Sequence, residues 1–243
     1  MNQAKLNFLK GELRCHMNGT TASIMRNLMG SAYAKNYGLS IQHIRDIARD
    51  VKASDAYRLT VEEADELWAT RWREMMLIGI ASMDPQTLSV ETVLSWASTI
   101  PTPEAAEAMA FLLTGHMPAA LKLAHKLLTR NTAYDYALAC HTAARAILKT
   151  NVNTPTVETK ENETAQQTEI ENVVRLATQM ADDALSTEQT TSNAMALSFL
   201  LRQCATHNLG NESVTQFETN AAVSNNAALR SVAADVAAER EML

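Results

Sequence analysis

The chain has 243 residues, 47% hydrophobic and 20% charged, with only 7 Gly and 5 Pro. That composition excludes collagen-like and wholly disordered classes and supplies enough apolar side chains for the core of one large domain or a repeat array. The net charge of −6 is unevenly placed: residues 1–150 carry 16 Lys and Arg against 14 Asp and Glu, net +2, and residues 151–243 carry 5 against 13, net −8. A polyanion is therefore expected to meet the first part. Aromatics are only 5%, and a chain rich in Ala, Leu and Met but poor in β-branched runs is expected to be all-α.

Apolar spacing and caps place the helices in chain order. Leu6, Leu9 and Leu13 mark the first, and Ile24, Met25, Leu28 and Met29 line the face of the second. Ser40 caps a third that carries Ile44, Ile47, Ala48 and Val51. Thr60 and Glu63 have capping-box spacing, in which each side chain satisfies the other's backbone N–H, and open a helix ending near Trp68. A helix follows over about 71–83, another runs from Ser89 through Trp96, and Thr102-Pro103 starts one with Pro where its missing N–H does no harm. Pro118 is expected to repeat that device for 118–129, before a helix over 132–149.

Residues 1–150 thus read as one helical domain built of antiparallel pairs, with an irregular bundle as the rival to a repeat array. Residues 151–168 are dominated by Asn, Thr, Glu, Gln and Lys, with Pro155 among them, and read as a flexible, solvated linker. Residues 169–243 resume helical spacing as an acidic C-terminal helical segment, either a cap of the array or a small subdomain.

Motifs that would announce common chemistry are missing: there is no phosphate-cradling glycine loop, HExxH, CxxC or nucleophile elbow. Cys15, Cys140 and Cys204 are an odd number at no ligand spacing, and the six histidines are scattered, so neither a metal nor a disulfide framework is expected. Cys140 and His141 are sequence neighbours, which a helix points about 100° apart, so Cys140 reads as core rather than as a nucleophile. No apolar run reaches the length of a membrane span and no leader-like segment opens the chain, so no membrane partner and a cytoplasmic location are expected.

One resemblance rests on specific residues. Tyr33-Ala34-Lys35, then Tyr37-Gly38-Leu39-Ser40 with Ile44-Arg45 and Ile47-Ala48, resembles the YxK and G-(V/I)-x5-R-x-I-A signature of the DNA alkylation repair family. Leu67-Trp68 followed by Arg73-Glu74 looks like that family's LW…RE helix pair. The resemblance covers about residues 14–150 and implies a HEAT-like helical-repeat solenoid that holds double-stranded DNA on its concave face. It also implies excision of cationic N-alkylated purines with no metal or other cofactor.

The family's W-D-x-x-D segment falls here on Pro103-Glu104-Ala105-Ala106-Glu107. Glu107 then stands at the catalytic carboxylate position and Glu104 at the other acidic one, while the tryptophan is absent. Tyr33 remains as an aromatic wall of the substrate site, Arg145 lies near a DNA-contacting position, and Phe199 and Phe217 are the only aromatics in 151–243. Two function classes follow: a repair-like DNA-binding protein with weak glycosylase activity, or a catalytically degenerate scaffold for a protein or structured nucleic acid. A surface stripe of Arg26, Lys35, Arg45, Arg71, Arg73, Lys122, Lys126, Arg145 and Lys149 would favour the first.

Overall fold

The computed structural model describes residues 1–130, 132–150 and 159–242. Every regular element among them is helical, and the nearest approach to a sheet is one isolated parallel bridge between Lys35 and Trp72. The chain forms two compact units, Met1–Leu113 and Thr114–Leu243, where the sequence reading set a boundary at residue 150.

The first unit holds α1 (Gln3–Cys15), α2 (Gly19–Met29), α3 (Ile41–Ala53), α4 (Val61–Ala69), α5 (Arg73–Ala81), α6 (Val90–Ala97) and α7 (Pro103–Leu112). Asn2, Asn18, Ser40, Thr60, Ser89 and Thr102 each cap the following helix by accepting the N–H three residues on, which satisfies a donor the helix itself leaves orphaned. Thr60 and Glu63 form the expected capping box.

All nine residues of α5 are buried, and a helix buried on every side must be the core of its unit. It packs against α3, α4 and α7. Between α4 and α5 the chain breaks at Thr70, and Arg71 takes a left-handed φ of +56°, so Trp68 and Trp72 do not share a helix face. The Trp68 ring is buried, stacks on Trp96 with centroids 6.1 Å apart, and donates its Nε1–H to Thr99 Oγ1 at 2.8 Å.

The face of α2 departs from expectation. Ile24 and Leu28 are 55% and 78% exposed, and the helix buries Ala22 instead. The reason is the approach of Gly38, at φ +74°, where an added Cβ would lie 2.3 Å from the Asn18 carbonyl oxygen and 2.6 Å from the Ala22 nitrogen. With Asn18 N–H donating to the Tyr37 carbonyl at 2.9 Å, the docking of backbone on backbone decides which side of α2 turns inward.

The second unit begins with a short 3-10 turn at Thr114–His116 and continues with α8 (Ala120–Leu128), α9 (Asp135–Thr150), α10 (Thr159–Gln179), α11 (Ala181–Ala184), α12 (Thr190–His207), α13 (Asn211–Val223) and α14 (Ala227–Glu241). Pro118 falls in the turn before α8 rather than at its first helical position. Helix α9 packs on α8 and α12, α12 on α14, and α10 on α8 and α13. Ala137, Ala139, Ala143 and Ala144 are fully buried along α9, and such small side chains allow close helix approach. These packings bind α8 and α9 to the C-terminal helices, which is why the units divide after Leu113.

The expected linker needs correction over 159–168, which is helical as the first half of α10; residues 151–158 lie outside the described residues. Ile170, Val173, Val174 and Ala177 are buried and anchor this helix. From an anchored turn, extension through Glu, Lys, Gln and Ala avoids the cost of nucleation.

Trp68→Ala is expected to cost about 3–5 kcal/mol, the range for a buried large aromatic. Gly38→Ala should cost at least about 2 kcal/mol, since it strains a left-handed φ and collides with backbone. Gly11→Ala, with nothing within 4 Å of the added carbon, should be neutral or gain up to about 1 kcal/mol. Urea unfolding of the three variants checks all of these.

Candidate functional site

The segment before α3 meets the break between α4 and α5 through backbone. Ala34 N–H donates to the Arg71 carbonyl at 2.8 Å, and Arg73 N–H to the Lys35 carbonyl at 2.9 Å. The Arg71 guanidinium returns a bond to the Ala32 carbonyl at 2.8 Å. This pairing sets Lys35 between two rings: its Nζ lies 4.5 Å from the centroids of both Tyr37 and Trp72. Lys10 Nζ lies 5.9 Å from the Trp72 ring. Cations over aromatic faces interleave charge and stacking surface, as single-stranded or extruded nucleotides require.

Beneath this patch lies a buried ionic tie. Arg73, 3% exposed, donates Nη1–H to the Leu39 carbonyl at 2.9 Å and to Glu74 Oε1 at 3.0 Å. Its Nε–H and Nη2–H both reach Glu104 Oε1 on the first turn of α7. Glu74, fully buried, accepts the backbone N–H of Tyr37 and Gly38, each at 3.0 Å, and of Leu39 at 3.3 Å. Burial opposes the charge of Arg73, but Glu104 and Glu74 more than offset it, and its pKa is raised. Tyr33 completes the cluster, its hydroxyl 2.8 Å from Thr102 Oγ1 and donating to Glu104 Oε2 at 3.0 Å. Burial first, then the Glu104 charge, pushes that phenol well above its ordinary pKa.

The structure thus brings together two of the four site residues expected from sequence, Tyr33 and Glu104. Both Glu104 oxygens are engaged, one by Arg73 and one by Tyr33. Glu107 sits three residues further along α7 and is exposed. Arg145 belongs to the second unit, where its Cζ lies 5.4 Å from the Phe199 ring centroid. His141 packs on the same ring at 6.0 Å. Burial first, then the Arg145 charge, lowers the His141 pKa from 6.5 to about 4.

Of the expected basic stripe, Arg73 is taken into the core, whereas Arg26, Lys35, Arg45, Arg71, Lys122, Lys126 and Lys149 are exposed. Cys140 is core as read, fully buried, with burial pushing its thiol far above the range in which a thiolate forms. Among the described residues no group of three or more His, Cys, Asp or Glu is placed to hold a metal, and no helix is long and apolar enough to cross a membrane.

Sequence reasoning missed two features. The Tyr37–Trp72 pair around Lys35 joins residues far apart in the chain, and only the interleaving of Tyr, Lys and Trp near basic residues signalled it. Phe199, the partner of Arg145, was marked only by the scarcity of aromatics after residue 151. A family model described as DNA alkylation repair enzyme matches residues 9–217. Comparison with curated proteins and with solved structures gave no match.

Arg73→Met leaves Glu74 and Glu104 without their shared cation, and is expected to cost about 3–5 kcal/mol in urea unfolding. The depressed His141 pKa stabilises the fold while the imidazole is neutral. That contribution is complete above the unfolded value of 6.5 and is lost as pH falls towards 4. The loss is expected to be about 3 kcal/mol. Stability measured from pH 7 to pH 4 should fall less steeply in His141→Gln than in the parent, and equal slopes would refute the assignment.

Proposed function

Because the chain belongs to the DNA alkylation repair enzyme family, we propose that it binds duplex DNA and excises cationic N-alkylated purines slowly, with Glu107 as its catalytic carboxylate. The observation that carries this reading is the division of labour on the first turns of α7. Glu104 is held by Arg73 and Tyr33 inside the fold, and Glu107, one turn on, is exposed to an incoming strand. The glycosidic bond to a cationic purine is already weak, and its electron pair leaves with the now neutral base. A carboxylate beside the sugar stabilises the positive charge that develops at C1′, and solvent water adds there and loses a proton to complete the hydrolysis. The reaction so written needs no metal or other cofactor.

Exposed Lys35 and Arg71 supply phosphate contacts in this reading, and Tyr37 and Trp72 supply stacking surface beside them. Tyr33 acts by positioning the start of α7, since its hydroxyl is committed to Thr102 and Glu104. In the second unit, Phe199 with Arg145 offers a ring and a cation for a base or phosphate. A HEAT-like superhelical arrangement of the helices around the duplex, in the cytoplasm, is part of the proposal. Pro103 stands where the family resemblance places a tryptophan, so a cationic base loses one cation–π contact, about 0.5–2 kcal/mol of binding.

The same engagement of Glu104 favours one rival, a scaffold that keeps the fold and the binding surface but has lost catalysis. Filter binding with methylated and plain duplex across a salt series, followed by chromatography of released bases, separates the two. The expected result is salt-sensitive binding, with log affinity falling by about 0.9 per phosphate contact per tenfold salt, and slow release of N-alkylpurine. Glu107→Gln should abolish that release and leave binding unchanged or stronger. Equal release by the parent and Glu107→Gln would remove Glu107 from the mechanism. Binding without release in the parent would select the scaffold, and binding indifferent to salt would overturn the nucleic-acid reading.

A further inference from the structure

The second unit holds a cavity of about 430 Å³ whose lining comes from α8, α11, the starts of α9 and α12, and the turns that join α8 to α9, α10 to α11 and α11 to α12. Leu127, Leu128, Met180 and Ala184 give it apolar walls. One polar side chain in that lining is nearly inaccessible: Asn193 is 3% exposed. Its Nδ2–H donates to the Ala184 carbonyl at 2.9 Å, which fixes the orientation of the amide. The other end, Oδ1, is buried without a hydrogen-bond partner. An unmet buried acceptor is a standing penalty that a bound donor relieves.

The charges around the cavity indicate what kind of donor. Asp183 and Glu188 line it and are exposed to solvent. Among the described residues of the lining the cation is Arg130, whose Nε lies 3.2 Å from Asp135 Oδ2, so its charge is matched from within the fold. The lining therefore presents apolar walls, a buried amide acceptor and two carboxylates, an arrangement that favours a cation with a hydrocarbon body and repels anions.

We propose that this cavity binds a small organic amine, its apolar body against Leu127, Leu128 and Met180 and its ammonium N–H donated to Asn193 Oδ1, with Asp183 and Glu188 attracting the charge. This site is independent of the duplex reading, because no residue assigned to DNA lines it.

Calorimetric titration of the full chain with hexylamine, hexanol and hexanoate tests the proposal. Saturable one-to-one binding of hexylamine is expected, with hexanol weaker and hexanoate without effect. Asn193→Ala should weaken hexylamine about tenfold, the loss of one buried hydrogen bond. Because that variant also loses its bond to Ala184, the surface double variant Asp183→Asn/Glu188→Gln provides a second arm. It should weaken hexylamine several-fold, and the remaining affinity should respond less to salt. A cavity filled by water alone predicts no saturation by hexylamine, which would overturn the proposal. So would equal affinity for the three probes, or the same hexylamine affinity in the parent and the double variant. Glu107→Gln should bind hexylamine as the parent does, whatever becomes of base release.

Discussion

A single buried guanidinium organises the first unit. Arg73 lies between Glu74 on its own helix and Glu104 on α7, and Glu74 in turn gathers the backbone N–H groups of Tyr37, Gly38 and Leu39. Three segments distant in sequence are therefore fixed by one cluster: the loop before α3, the start of α5 and the start of α7. Taking these charges from water is costly, and the cluster is stable only because nearly every lone pair and proton meets a partner. The dependence is one-sided: removing Arg73 leaves two carboxylates without their shared cation, whereas removing either Glu leaves Arg73 paired with the other.

That cluster also sorts the acidic residues of α7 by role. Residues in the first turn of a helix are favoured by the dipole when negative, and both Glu104 and Glu107 stand near that turn. Only Glu104 points to Arg73 and Tyr33, so it holds the fold together. Glu107 is left on the surface. The Tyr33 hydroxyl clamps the same helix start through Thr102 and Glu104.

The second unit rests on a different physical basis. Helix α9 is lined with alanines that admit its neighbours closely, and it also buries the polar side chains of Asp135, His141 and Thr142. His141 is held neutral beside Arg145 and Phe199. Tyr136 donates its hydroxyl to the Ala177 carbonyl at 2.9 Å, tying α9 to α10. Packing of small side chains and single hydrogen bonds acts here beside the ion pair of Arg130 with the buried Asp135.

What the sequence determined by itself is the local part. The caps at Ser40, Thr60, Ser89 and Thr102, the core face of α3 and the all-helical class were legible because each depends on residues three or four apart. The motif stretches around Tyr33 and Arg73 were legible as family marks, although not as contacts of one cluster. Tertiary structure decided the remainder. The inward face of α2 follows from Gly38 meeting Asn18 and Ala22, the division after Leu113 from α9 packing on α12, and the helical state of 159–168 from the anchoring of Ile170 and Val173. The burial of Arg73, the engagement of Glu104 and the pairing of Arg145 with Phe199 each join residues 30 or more apart. Hydrophobic period and capping chemistry hold no information about such pairs, because the energy of a buried charge depends on which distant partner arrives beside it.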